Sequence, residues 1–390
     1  METTQLQQFS VNKSDWTRVK FGDVVFEPRE TVKSLFEEDI EHVVGLEHID
    51  SENIHLTRSG KLEGSTTFSK KFKKGDVLFG RRRAYLKKAA MADFDGICSG
   101  DITVFRAKKN LLPELLPFVV NNEKFFDYAI KHSAGGLSPR VKFKDLANYE
   151  FLLPPKDQQA PLAELLWAMD EVVEREREVL ERAKNLIQAK RRDLNFCDVK
   201  EYKGSEITKL ITKGASPKWQ GFEYSDNGVL FVTSENVLED AMDLTEKKFL
   251  PIEFHEKQKR SKLKPRDVLI NIVGASIGRL AVFNETFLLA NINQAVSLFR
   301  VNEQIVLPEY VVQYLLEDSN KQRLLNNQSA TARPNLSLKD LNDFKFYLPT
   351  ILLQEKIMEQ FATIKDICIQ SDSKIATSRA LQKSLISQIF

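Results

Sequence analysis

Between Lys70 and Lys88 the chain reads KKFKKGDVLFGRRRAYLKK, nine basic side chains against one acid, Asp76. Cationic density of this kind neutralises phosphates, releases their counterions and makes binding to a nucleic acid depend on salt. The candidates are Lys70, Lys71, Lys73, Lys74, Arg81, Arg82, Arg83, Lys87 and Lys88, with Tyr85 embedded among them. The plainer reading of a charge run is a solvated face. A second stretch, from Asn271 to Gln294, has another chemistry: Asn271, Ser276, Arg279, Asn291, Asn293 and Gln294. Side-chain amides can bond an adenine edge and guanidinium a guanine edge, although Asn and Ser also serve ordinary turns. Two polar loops, His132–Arg140 and Asn327–Asn335, each set a basic residue beside proline, Arg140 and Arg333, and the second ends on Asn335. Loops of small polar residues can approach a backbone or base closely.

No arrangement for chemistry stands beside these. The Pro154-Pro155 pair lies between Leu153 and Lys156, not in the Asn/Asp-Pro-Pro-aromatic setting of an adenine methyltransferase that holds a flipped base. No phosphate-cradling glycine loop occurs. Five histidines (His42, His48, His55, His132, His255) form no HExxH, so no metal ligand set is expected. Three scattered cysteines, Cys98, Cys197 and Cys368, suit a reducing cytoplasm. A net charge of +2 leaves nucleic-acid affinity to local clustering.

The elements that position these residues occur twice. PRVKFKDLANYEFLLP from Pro139 and PNLSLKDLNDFKFYLP from Pro334 share seven of sixteen positions at an offset of 195. Half the chain length is the period of a duplicated domain, since solenoid repeats are far shorter. Upstream, FKKGDVLFG and LKPRDVLIN predict matching strands, as do ITVFRA from Ile102 and AVSLFRV from Ala295. From Pro155 to about Phe196 apolar residues recur by sevens, which predicts a continuous helix of roughly 35–40 residues. Leu162, Leu166, Met169, Val173, Leu180 and Ile187 form its stripe, and Ile357, Phe361, Ile364, Cys368 and Ile375 return at the same offset from positions on it. Leu381 is a further candidate for this surface. Two such stripes most simply pair with each other, antiparallel if the halves are related by a two-fold.

A domain, then Leu153-Pro154-Pro155 with Gln159 opening a long helix, then a second domain and Leu348-Pro349-Thr350 with Gln354 opening another, resembles the specificity subunit of type I restriction–modification enzymes. Ser276-Ile277-Gly278-Arg279 fits the same pattern, and Arg82–Lys87 is its weakened form in the first half. The resemblance implies an α+β fold: two tandem target-recognition domains at 14–154 and 198–349, separated by helices at 155–197 and 350–390 packed as an antiparallel coiled coil with a pseudo-two-fold. It implies recognition of a bipartite double-stranded DNA site, one half-site per domain, with the helix pair as a ruler. The partners implied are methyltransferase subunits, two per chain, and restriction subunits. S-adenosylmethionine, ATP and magnesium would sit on those partners, and this chain would hold no cofactor and no catalytic residue. Neither sequence nor resemblance supplies a membrane span. On this reading, acidic residues at Leu166 and Leu180 break assembly while each domain stays folded. Two rival readings are a methyltransferase- or nuclease-like enzyme with unfamiliar motifs and a coiled-coil scaffold without a DNA role.

Overall fold

A computed structural model describes residues 12–32, 40–62, 66–194, 199–286, 289–326 and 335–390. The chain divides into two compact units, residues 1–177 with 372–390 and residues 178–371. The division cuts through both long helices, so each unit owns part of each.

Each unit is built around a four-stranded antiparallel sheet. In the first the order is Val25–Phe26, Ile102–Ala107, Val77–Gly80, Ala89–Met91. In the second it is Thr208–Lys213, Val296–Val301, Asp267–Asn271, Leu280–Phe283. The central strands are fully buried Val, Leu, Ile and Phe runs, as a sheet covered on both faces requires. One ion pair fastens the middle of each sheet. Asp76 accepts two bonds from Arg106, at 2.6 and 2.7 Å, and one from the Lys73 amide. Asp267 does the same for Arg300, at 2.8 and 2.7 Å, and the Lys264 amide. A carboxylate this buried (Asp76 2 %, Asp267 1 % exposed) is tolerable only with such a fork. The lone acid of the basic run is therefore part of the frame.

A smaller sheet in each unit contains a parallel pair, Val43–Val44 with Gly96–Cys98 and Val229–Val232 with Ala290–Ile292. A two-stranded ribbon closes each unit, Thr17–Lys20 on Glu150–Leu153 and Lys200–Lys203 on Lys345–Leu348. Thr17 and Lys200 open these ribbons, and Leu153 and Leu348 end them. The second of these spans is the longer, so the later copy carries inserted residues.

The long helices are Lys156–Arg192 and Ile351–Ile389. Gln159 and Gln354 anchor their first turns. Gln159 receives the Leu112 amide (2.7 Å) and donates to the Asn110 and Pro154 carbonyls (both 3.0 Å). Gln354 receives the Leu307 amide (3.0 Å) and donates to the Ile305 and Pro349 carbonyls (3.1 and 3.0 Å). Every partner in one copy is the repeat-equivalent of its counterpart in the other. The glutamine ties the helix start to the Leu-Pro-Glu turn, with all its polar atoms satisfied while buried.

The helices run antiparallel. In the first unit Lys374 bonds Glu176 and Gln382 bonds the Leu166 carbonyl, so numbering rises on one helix as it falls on the other. In the second unit Lys190 bonds Gln360. Leu166, Val173, Leu180, Phe361 and Ile364 are buried, and Leu162, Met169, Ile187, Ile357, Cys368 and Ile375 are half-buried. Leu381 corrects expectation: it is 51 % exposed, because the heptad places Gln382, Leu385 and Ile389 inward. The helices are also not a separate layer. Leu166 shares one core with Phe118, Phe125, Leu385 and Ile389, and Phe361 shares another with Tyr310 and Phe346. Replacing Leu166 by Asp would therefore destabilise the first unit itself, whereas the sequence reading expected only spacing or assembly to suffer.

One pair of equivalent helix positions carries opposite charges. Asp170, 6 % exposed, faces His55 with 2.5 Å between Oδ2 and Nε2. Its counterpart Lys365 bonds Asp240 at 2.7 Å, and Asp240 also meets the buried Arg191 at 3.4 Å.

Candidate nucleic-acid interface

After the strand Val77–Gly80 the chain makes a tight turn, and after Asp267–Asn271 it makes the same turn with other residues. Two positions in it are left-handed in both copies: Arg83 (φ 54°) and Lys87 (φ 48°), Gly274 (φ 85°) and Gly278 (φ 82°). The register that sets Asp267 opposite Asp76 also sets Gly274 opposite Arg83 and Gly278 opposite Lys87. Glycine reaches this conformation freely, whereas another L-residue loses about 1–2 kcal/mol there. The first copy thus places cations where the backbone favours glycine. Non-glycine residues in such regions cluster at functional sites. In each unit the turn is pinned to the end of that unit's polar loop, by a bridge of Arg82 with Arg140 in the first and of Val273 with Asn335 in the second. Arg82 and Arg140 both hold Asp101, at 3.1 and 2.8 Å. Burial raises the Asp101 carboxyl, but hydrogen bonds from Arg140 and Arg82 outweigh it and hold its pKa below the usual value.

The nine cations of the first copy do not form one free patch. Lys70 bonds Glu27 and the Ile102 carbonyl, Lys87 bonds Glu123, and Lys88 bonds the Leu46 carbonyl. Lys73 lies 3.9 Å from Glu30, while Lys71 and Arg81 are half-buried. Lys74, Arg83 and Tyr85 point outward, Tyr85 being 52 % exposed.

In the second copy two candidates are overturned. Asn271 and Asn291 are 0 % exposed. Asn271 donates to the Ser234 and Val237 carbonyls, while Asn291 binds His255, Gln258 and Ser261. Amides at the ends of buried strands satisfy backbone groups and cannot reach a base. Asn293 accepts from the Ala295 amide, Ser276 is half-buried within the turn, and Arg279, Gln294 and Asn335 are exposed. Arg333 and most of its loop lie outside the described residues.

Two features escaped the sequence reading. The stretch KQKRSKLKPR from Lys257 to Arg266 is basic throughout and contains no acid, so the second copy has its own cationic run. Trp219, 88 % exposed, and Tyr224, 59 % exposed, stand on the loop before Val229–Val232. The basic run could have been found by counting; the aromatic exposure could not.

His55, Asp170 and Glu174 are the described group nearest to a metal ligand set. Glu174 is paired with Arg177, and His55 and Asp170 share a hydrogen bond of 2.5 Å. That bond, foremost, raises the His55 pKa against the opposing effect of burial.

Residues 13–185 and 198–377 each match the family model of the type I restriction modification DNA specificity domain. The chain therefore belongs to that family and carries its domain twice. It is 27 % identical over 168 residues to the EcoBI specificity subunit of Escherichia coli, covering 42 % of this chain and 35 % of that one. It is 23 % identical over 308 residues to the MjaVIII specificity subunit of Methanocaldococcus jannaschii, 70 % of this chain and 71 % of the other. The aligned stretch spans about a third of the length of the E. coli relatives. Two solved structures share the α+β two-domain fold. One, from work on complex assembly and conformational transition of the type I R-M system, is 20 % identical, with 96 % and 97 % of the two chains covered and a TM-score of 0.61. The other, the S subunit of M. genitalium, is 15 % identical, with 98 % of both chains covered and a TM-score of 0.59.

Proposed function

We propose that this chain is the DNA-recognition subunit of a type I restriction–modification complex, reading a bipartite site in double-stranded DNA with one half-site per domain. It performs no reaction itself. Methyltransferase subunits, two per chain, and restriction subunits bring S-adenosylmethionine, ATP and magnesium in the cytoplasm, and methylate adenine or cleave DNA where this chain directs. Among the described residues no helix is long and apolar enough to cross a membrane.

The observation that carries the reading is the doubled turn: two left-handed positions after the equivalent strand of a repeated frame, occupied by Arg83 and Lys87 in one copy and by Gly274 and Gly278 in the other. Phosphate contacts position such a protein and base-edge contacts specify its site. A common frame with divergent tips is what two different half-sites demand. For the methyltransferase subunits the first long helix offers Leu165, Val172, Val179 and Leu186, seven apart and 36–48 % exposed. An apolar row of this kind fits a partner helix.

Single-molecule sequencing of host DNA tests the reading. A two-part methylated-adenine motif with a fixed gap, lost on deletion of this gene, is the expected result. Methylation or cleavage of DNA by the purified chain alone, given cofactors, would refute it.

A further inference from the structure

We infer that Trp219, supported by Lys257, Lys259 and Arg260, is an aromatic contact of the second domain to double-stranded DNA. The inference rests on the function proposed above and names a site within it. Single apolar residues on a surface are ordinary, but this indole, 88 % exposed, stands on a turn held by hydrogen bonds and joined to a basic run. Pro217 begins the turn and accepts from the Gln220 and Phe222 amides, at 2.9 and 3.0 Å. Gly221, at φ 82°, closes it by donating to the Lys218 carbonyl at 3.2 Å. Below lies a small aromatic core, with Phe222 against Phe254 at 5.4 Å and Phe254 against Phe231 at 5.6 Å, both edge-on. The fold thus holds the turn rigidly and still directs its largest apolar side chain outward.

The basic run joined to the turn indicates the ligand. Lys257 donates to the Gln220 carbonyl at 3.2 Å and sits 5.5 Å over the Phe222 ring, joining the basic run to the turn. Lys259 and Arg260 follow, both exposed and without an ion pair among the described residues. Glu223 and Asp226 lie on the same loop, so the loop itself is near neutral and the basic run supplies the positive field. An exposed aromatic on a turn joined to a basic run suits a duplex groove, where apolar side chains wedge at base steps and cations meet regularly spaced phosphates. An apolar protein surface would not need the cations.

The test uses the full chain with its co-purifying methyltransferase subunits and a fluorescein-labelled mixed-sequence duplex across a salt series. In a duplex the base faces are already stacked, so an aromatic gains by entering a groove and wedging at a base step, against the cost of partly unstacking it. Trp219→Ala should therefore weaken binding roughly ten-fold without changing the salt slope, and Trp219→Phe should retain most of the affinity. Changing Lys257, Lys259 and Arg260 to Ala should instead flatten the slope. Wild-type affinity in Trp219→Ala, with its thermal unfolding unchanged, overturns the inference and leaves DNA recognition standing. So does loss of a co-purifying subunit from that variant with duplex binding intact, since the indole would then be a protein contact. If the unaltered assembly binds no duplex at any salt concentration, the function proposed above fails with it.

Discussion

The turn after Val77–Gly80 and the turn after Asp267–Asn271 have one backbone and two vocabularies. Where the second uses Gly274 and Gly278, the first holds Arg83 and Lys87 in the same left-handed conformation. The frame of each domain does not differ: the Asp–Arg fork and the three bonds of the first-turn glutamine recur bond for bond. A duplicated domain keeps what buries polar groups, because any loss there is felt at once in stability. Its exposed turns are free to diverge.

The largest expected effect tests whether the cores are independent. Leu166→Asp should cost the first unit roughly 3–5 kcal/mol by placing a charge in a closed core, and Phe361→Asp should do the same to the second. Calorimetry should show one transition moving in each variant. A shared shift in both would mean that the units unfold as one body. Next come the glutamines: Gln159→Ala and Gln354→Ala should each cost about 1–3 kcal/mol, because buried backbone groups lose their partners. Equal losses would confirm the frame, and an unequal pair would break it.

Smaller effects sharpen the contrast between the turns. Arg83→Gly and Lys87→Gly should each raise stability by up to about 1 kcal/mol by relieving a strained backbone, while weakening duplex binding at low salt. Gly274→Ala should lower stability by a similar amount. If Arg83→Gly destabilises, its conformation is not a concession to function. The smallest effect is in pH. The His55 pKa is raised in the folded state, mainly by its bond to Asp170, so the added stability is complete below the ordinary histidine value and fades as pH rises through the raised one. The unfolding temperature of the first unit should fall over that window, and His55→Gln should abolish the shift.

Much of the frame was legible in sequence. The strand Ile102–Ala107 and two helices of 37 and 39 residues were foreseen because apolar periodicity reports burial directly. The candidate site was only partly legible. Asn271 and Asn291 misled because an amide that ends a buried strand is the same residue as one that meets a base. Arg83 carried no sign of its positive φ, which emerges only beside Gly274. Nor can a pattern of residue types distinguish the outward Trp219 from Trp16, which is 7 % exposed and donates to Gln158.

The helix position occupied by Asp170 in one copy and Lys365 in the other has a consequence for how such chains diversify. Each domain carries a lock for its own stretch of helix: His55 fits the acid, Asp240 fits the base. A second domain transplanted onto the first domain's seat would bring Asp240 against Asp170, two carboxylates at a largely closed contact. The lock thus favours each domain on its own stretch of helix, since two carboxylates at a closed contact resist being ionised together.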